Sequence, residues 1–174
     1  MKPNTPTLEA MEPDRRAFDV DVRYSRYYDV SLIAQDMRQA DIDEVFACSG
    51  RSPKRALEYA MEHSTECFTV VAKQTDLPLA MFGYRTEGLC SIVWMLGSNE
   101  LYKYRMDFLR KSRKWCDYLQ EQSPILYNLI DQRNTVHIRW LEWLGFKFVR
   151  VVPEYGVLSL PFIEFVRVNH VRSN

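Results

Sequence analysis

Between residues 67 and 96 three apolar runs follow one another so closely that they can pair only as an antiparallel meander. The runs are Cys67 to Lys73, Leu79 to Tyr84 and Cys90 to Leu96. They are joined by Gln74-Thr75-Asp76-Leu77-Pro78 and Arg85-Thr86-Glu87-Gly88, short links of turn-forming residues. A parallel return would need a crossover of about a dozen residues or more. The meander therefore forms one side of a sheet whose remaining parts come from elsewhere in the chain.

Directly after it, Asn99 to Gln120 carries the longest helical pattern, with Leu101, Tyr104, Phe108, Trp115 and Leu119 on one stripe and the cations off it. Ile125 to Ile130 predicts a strand, Asn134 to Leu144 a helix stopped by Gly145, and Phe146 to Val152 and Phe162 to Val168 two final strands. Upstream, the alternation Val20, Val22, Tyr24 predicts a strand over Val20 to Tyr28, followed by a short helix over Ser31 to Met37. Asp41 to Cys48 adds a helical turn or two ending at Gly50. Ser52-Pro53 is a helix start, an N-cap followed by proline, for a helix reaching His63. Residues 1–19, with Pro3, Pro6 and Pro13 and little periodicity, read as a flexible N-terminal arm, and 20–174 as a single domain. The fold class is α/β (α+β): a mixed, mostly antiparallel central sheet flanked by helices.

A hydrophobic fraction of 47% over 174 residues suffices for one core, which excludes a disordered chain. Lys plus Arg and Asp plus Glu are 23 each, so bulk charge gives no reason for adhesion to nucleic acid or anionic membrane. No apolar run approaches the roughly 20 residues of a membrane span. The first residues lack a secretory h-region, which predicts a cytoplasmic protein. Cys48, Cys67, Cys90 and Cys116 show neither zinc nor disulfide spacing and read as buried free thiols. The compositional oddity is 13% aromatic residues against six glycines.

The element order, with Asn134-Thr135-Val136-His137-Ile138-Arg139-Trp140-Leu141-Glu142-Trp143-Leu144-Gly145-Phe146, resembles the GNAT (general N-acetyltransferase) superfamily. There an Asn, a helix and a Leu-Gly-Phe ending commonly link the fifth and sixth strands. Met37-Arg38-Gln39-Ala40-Asp41-Ile42-Asp43-Glu44, Trp94-Met95-Leu96-Gly97-Ser98 and the Asn-x-x-His-Ile-Arg start of the 134–144 helix are similar to the GNAT-like internal virion protein A group of short-tailed phages. That resemblance implies a phage protein acting in virion assembly through contacts with a phage virion or host protein, in the host cytoplasm or associated with the virion. The wider superfamily implies acetyl-CoA as cofactor. In that alternative the chain is an N-acetyltransferase acting on an amine of a phage or host target. The strand ending in Met95 and Leu96 would pair with the pantetheine arm, Gly97, Ser98, Asn99 and Lys103 would hold the pyrophosphate, and Asn134 would contact the coenzyme.

Two chemical departures favour the assembly reading. A coenzyme loop uses several glycines so that backbone N–H groups at a helix start can approach the pyrophosphate. Here the junction Met95 to Tyr102 has one, Gly97, and Glu100 falls where it would repel a diphosphate, with Lys103 and Arg105 near enough to compensate. The tyrosine that many superfamily members place seven residues after the helix Asn, as the acid for the departing thiolate, is replaced by Leu141. Tyr127 or Tyr155 could substitute from another element, and Glu66, Glu87 and Glu164 are carboxylates near strand ends; no catalytic residue is assigned among them.

His137 reads as packed within its helix, and no metal cluster follows from local spacing. Ser49-Gly50-Arg51-Ser52 reads as a helix-cap turn, since it lacks a P-loop ending. Lys103, Arg105, Arg110, Lys111, Arg113 and Lys114 read as a solvated face, with nucleic-acid binding the weaker alternative at zero net charge. Trp140 and Trp143 share a broad face and read as core, either becoming an interface anchor if exposed.

Overall fold

The computed structural model describes residues 18–169. A seven-stranded sheet runs through it in the order β1-β2-β3-β4-β5-β7-β6. The strands are β1 (Val20–Tyr24), β2 (Glu66–Ala72), β3 (Pro78–Glu87), β4 (Cys90–Gly97), β5 (Ile125–Asp131), β6 (Lys147–Tyr155) and β7 (Leu160–Val168). Helices α1 (Tyr27–Gln35), α2 (Gln39–Ser49) and α3 (Pro53–His63) separate β1 from β2, α4 (Arg105–Gln122) separates β4 from β5, and α5 (Thr135–Trp143) precedes β6. Every strand pair is antiparallel except β4 with β5. The meander is β2-β3-β4, as the short links dictate.

Period-2 alternation divides the core between the two faces of the sheet. Phe82, Val93 and Met95 pack under α4 and α5 with Leu119, Leu141 and Phe165, whereas Met81 and Leu96 turn to the other face and meet Ile33 of α1 and Leu57 of α3. The helix boundaries have local causes. Ser52 Oγ accepts from the Arg55 N–H with Pro53 in the first turn, Gly50 ends α2 in the left-handed region at φ 68°, and Gly145 at φ 91° turns the chain so that Phe146 re-enters the core.

Three expectations are corrected. The strand predicted to Tyr28 ends at Tyr24, and the helix predicted over Ser31 to Met37 begins four residues earlier, at Tyr27. Fully buried Asp29 causes this: it accepts the Arg26 N–H at 2.8 Å and holds Arg23 by two bonds, which caps the helix early. The single helix predicted from Asn99 divides into a 3-10 segment (Asn99–Tyr104) and α4. Of the four thiols, Cys116 is buried and the other three are half-buried; all are free. Residues 1–17 of the predicted arm lie outside the described residues, but its last two engage the domain: Asp19 accepts from the Lys73 N–H and Phe18 meets the Tyr104 ring edge-on.

Candidate functional site

The sheet opens at its centre. β4 and β5 pair only from Cys90/Ile125 to Ile92/Tyr127. Beyond that point each stays bonded to its outer neighbour, β4 to β3 as far as Gly97 and β5 to β7 as far as Asp131, so the two strands part. Asn128 marks the fork: its Nδ2 donates to the Val93 carbonyl at 2.8 Å, replacing a bond that a continuing ladder would have made. The split backs onto a half-open, mainly apolar cavity of about 250 Å³. Its walls include Met95 and Leu96 of β4, Ile130 of β5, Trp115 of α4, and His137 and Trp140 of α5.

At the far end of β4 the backbone donors are already in use. Gly97 N–H donates to Asp41 Oδ2 at 2.8 Å, Ser98 N–H to the Leu79 carbonyl at 2.8 Å, Asn99 N–H to the Asp36 carbonyl at 2.9 Å, and Glu100 N–H to Asp36 Oδ2 at 3.3 Å. Burial pushes the Asp41 carboxyl up while Arg38, the Gly97 N–H and Asn134 act the other way. The two-pronged Arg38 contact, Nε at 3.0 Å and Nη2 at 2.8 Å, is that of a carboxylate. Lys103 is held by the Glu100 carboxylate at 2.8 Å, which raises its pKa. The junction is thus a closed circuit of donors and acceptors, with two aspartates where an anion would be received.

The predicted site residues divide accordingly. Met95 and Leu96 line the cavity; Gly97, Ser98 and Asn99 form the closed junction; Lys103 is exposed beside it. Asn134 caps α5, its Oδ1 accepting from the His137 N–H, and its Nδ2 donates to Glu44 at 3.0 Å. Leu141 is buried in the cavity wall. Glu66, Glu87 and Glu164 lie outside the cavity lining: Glu66 accepts from Tyr24, Tyr84 and Tyr118, Glu87 from Arg85 and Tyr127, and Glu164 from Arg150. Tyr127 thereby points away to Glu87, while Tyr155 reaches the cavity near Cys48, whose thiol burial pushes up.

Glu44 was missed by sequence reading. Burial lifts it to about 7, opposed by the Asn134 bond and added to by Asp41. Its signal was the spacing Asp41, Glu44, Cys48, which puts three ionisable groups on one face of α2. His137 is packed, as expected, and 8% exposed. Burial and the nearby Arg38 charge push it down to about 3, so the imidazole is neutral at physiological pH. The cation row along the 3-10 segment and α4 is largely engaged: Lys103 with Glu100, Arg110 and Lys111 with Asp107, Arg105 over Tyr102 and Arg113 over Trp143. Trp143 is exposed, against expectation, while Trp140 is half-buried against Phe108. Among the described residues no cluster of metal-ligating side chains occurs and no helix is long and apolar enough to cross a membrane.

This forked sheet is the fold of the GNAT acetyltransferases. The chain is similar to the ribosomal-protein-S5-alanine acetyltransferase of Vibrio fischeri (16% identity, TM-score 0.62, covering 89% of this chain and 96% of that one). It is also similar to Ard1 of Thermoplasma volcanium (11%, 0.68, 86% and 97%). A third similar structure is the spermidine N-acetyltransferase of Vibrio cholerae in complex with CoA and spermine (13%, 0.65, 86% and 95%). At such identities the likeness concerns the fold. The family described as "Bacteriophage T7, probable scaffold protein Gp13" matches residues 68–152, from β2 into β6 and just under half of the chain. No curated protein matches.

Proposed function

We propose that this GNAT-fold chain is a phage protein acting in virion assembly through protein contacts, with acetyl transfer reduced or lost. The observation that carries the reading is the junction after β4, where the N–H groups of Gly97, Ser98, Asn99 and Glu100 are all spent on acceptors of the chain itself. A diphosphate arriving there would have to displace Asp36 and Asp41 or lie beside them. Arg38 offsets the Asp41 charge, so the repulsion falls on Asp36: like charges about 4 Å apart repel by about 4 kcal/mol at the effective dielectric of a protein surface. With Leu141 where the superfamily's tyrosine acid would stand, that usual proton donor for the departing thiolate is missing. The match to a phage scaffold family over β2 to β6 supports the assembly role. The exposed Trp143, backed by Arg113, offers an aromatic anchor of the kind protein interfaces use.

The second reading, an acetyl-CoA-dependent N-acetyltransferase, is favoured by the fork itself. Its unpaired strand edges could receive a pantetheine arm along Met95 and Leu96, with Gly97, Ser98, Asn99 and Lys103 around the pyrophosphate and Asn134 on the coenzyme. Calorimetric titration with acetyl-CoA separates the two. No heat to millimolar coenzyme is expected; micromolar binding lost on Ser98→Glu would overturn the assembly reading's loss of coenzyme. Deleting the gene from its phage is expected to lower the yield of infectious particles, and normal yield would refute the assembly role. A host-cytoplasmic or virion-associated location, and a virion or host protein as partner, belong to the same proposal.

A further inference from the structure

The outer surface of α4 and α5 carries apolar and cationic side chains that the chain leaves uncovered. The two helices lie side by side: Trp140 Nε1 donates to Ser112 Oγ at 3.4 Å and Arg113 Nη2 to the Trp143 carbonyl at 3.1 Å. Steps of three and four residues set Met106, Arg110 and Arg113 on the outward stripe of α4, and Val136, Arg139 and Trp143 on that of α5. All six are exposed, Val136 to 69%, Met106 to 66% and Trp143 to 43%.

The charge of this face is not balanced in place. Among the described residues Arg113 and Arg139 belong to no ion pair, and Arg110 shares Asp107 with Lys111. Glu142, the one carboxylate of α5, makes no ion pair with Arg139, and Asp117 of α4 is held by Arg167. Arg113 is prepared for a carboxylate. Its guanidinium stands 4.4 Å over the Trp143 ring and spends one N–H on the Trp143 carbonyl, so its direction is set while most of its five donors stay open.

We infer that this face docks an acidic segment of a partner protein, an aliphatic side chain seated over Val136 and Trp143 and carboxylates paired with Arg113 and Arg139. This docking face rests on the assembly reading above and specifies where its protein contact is made. The chain as a whole is neutral, so an acidic partner is steered by this face and not by bulk charge. Composition favours protein over nucleic acid, because interfaces concentrate tryptophan, methionine and arginine, whereas Val136 and Met106 offer nothing to a phosphate. Two unpaired arginines also release few counterions, the main source of non-specific nucleic-acid affinity. A second copy paired about a two-fold axis would set the same cations against each other.

The test begins with a short helical peptide that bears Leu at every third or fourth position and Glu on its flanks. It is titrated into the full chain by calorimetry and by the indole ¹⁵N–¹H resonances, with Trp143→Phe assigning the Trp143 signal. Saturable binding that shifts this signal is expected, at least tenfold weaker in Arg113→Glu/Arg139→Glu and absent when Lys replaces Glu in the peptide. No binding of the Glu peptide, equal binding of the two peptides, or tighter binding of a short DNA duplex overturns the inference. The phage separates this inference from the reading beneath it. Where deletion of the gene lowers the yield of infectious particles, Arg113→Glu/Arg139→Glu and Val136→Asp are each expected to lower it at least tenfold. The new carboxylate at position 136 falls in the first turn of α5, which it favours, and an unchanged urea midpoint shows that the variant folds. Full yield from either variant overturns the docking face and leaves the assembly reading standing, whereas normal yield on deletion overturns both.

Discussion

Replacing Gly156 by alanine tests how the β6–β7 hairpin is fastened over the cleft. Gly156 sits at φ 69°, where an L side chain is strained, and its backbone lies against the C-terminal end of α2. A Cβ there would come within 2.6 Å of Cys48 Cα and 2.7 Å of its carbonyl oxygen, and closer still to the Ala47 carbonyl, all backbone atoms that cannot rotate aside. The tip must lift, breaking the bonds from Val157 N–H to Cys48 O (3.3 Å) and from Leu158 N–H to Ala47 O (3.2 Å). Two bonds at about 1 kcal/mol each and about 1 kcal/mol for alanine in the left-handed region give about 3 kcal/mol of lost stability. Gly88→Ala is the control: its φ is 63° but no atom lies within 4 Å of the added Cβ, so only the backbone part, about 1 kcal/mol, is expected. Urea unfolding of both variants measures the difference directly, provided the transition is two-state. Equal losses for the two would refute the idea that the hairpin tip is latched to α2.

Other expectations concern the buried polar groups. Asp41→Ala strands the Gly97 N–H and the Arg38 guanidinium; since Arg38 keeps some access to water, a loss of about 3 kcal/mol is expected in urea unfolding, at the low end for broken buried pairs. Glu44, raised to about 7 by burial, holds its proton more tightly folded than unfolded, so it contributes stability below about pH 4.5 that is lost as pH rises through 7. Glu44→Gln, which still accepts from Asn134, should remove that slope and be the more stable protein at pH 8; an unchanged pH profile of thermal unfolding would count against it. Burial pushes Cys67 and Cys116 up to about 11, and iodoacetamide at pH 8 should leave both unmodified in the native protein, as peptide mass mapping would reveal.

The meander, the helix start at Ser52-Pro53 and the stop at Gly145 were legible because each is a local matter: link length, a cap and a left-handed turn act within a few residues. The early start of α1 was not, since the residues that hold Asp29 include Thr69, forty positions away. The same limit applied at the candidate site. The lone glycine, Glu100 and Leu141 were visible in the sequence and already argued against coenzyme chemistry. Which atoms take the junction's N–H groups was not visible, because Asp36 and Asp41 come from before and within α2, some sixty residues upstream.

The chain by itself determined a mixed, mostly antiparallel sheet flanked by helices and a loop after β4 that is short of glycine, since periodicity, caps and turn residues are properties of neighbours along the chain. Only the tertiary structure decided that two aspartates close that loop, that Glu44 rather than Glu66, Glu87 or Glu164 faces the cleft, and that His137 Nδ1 is left without a partner. Desolvation and hydrogen-bond satisfaction depend on what surrounds an atom from every side, and those surroundings exist only once α2, α5 and the parted strands have come together.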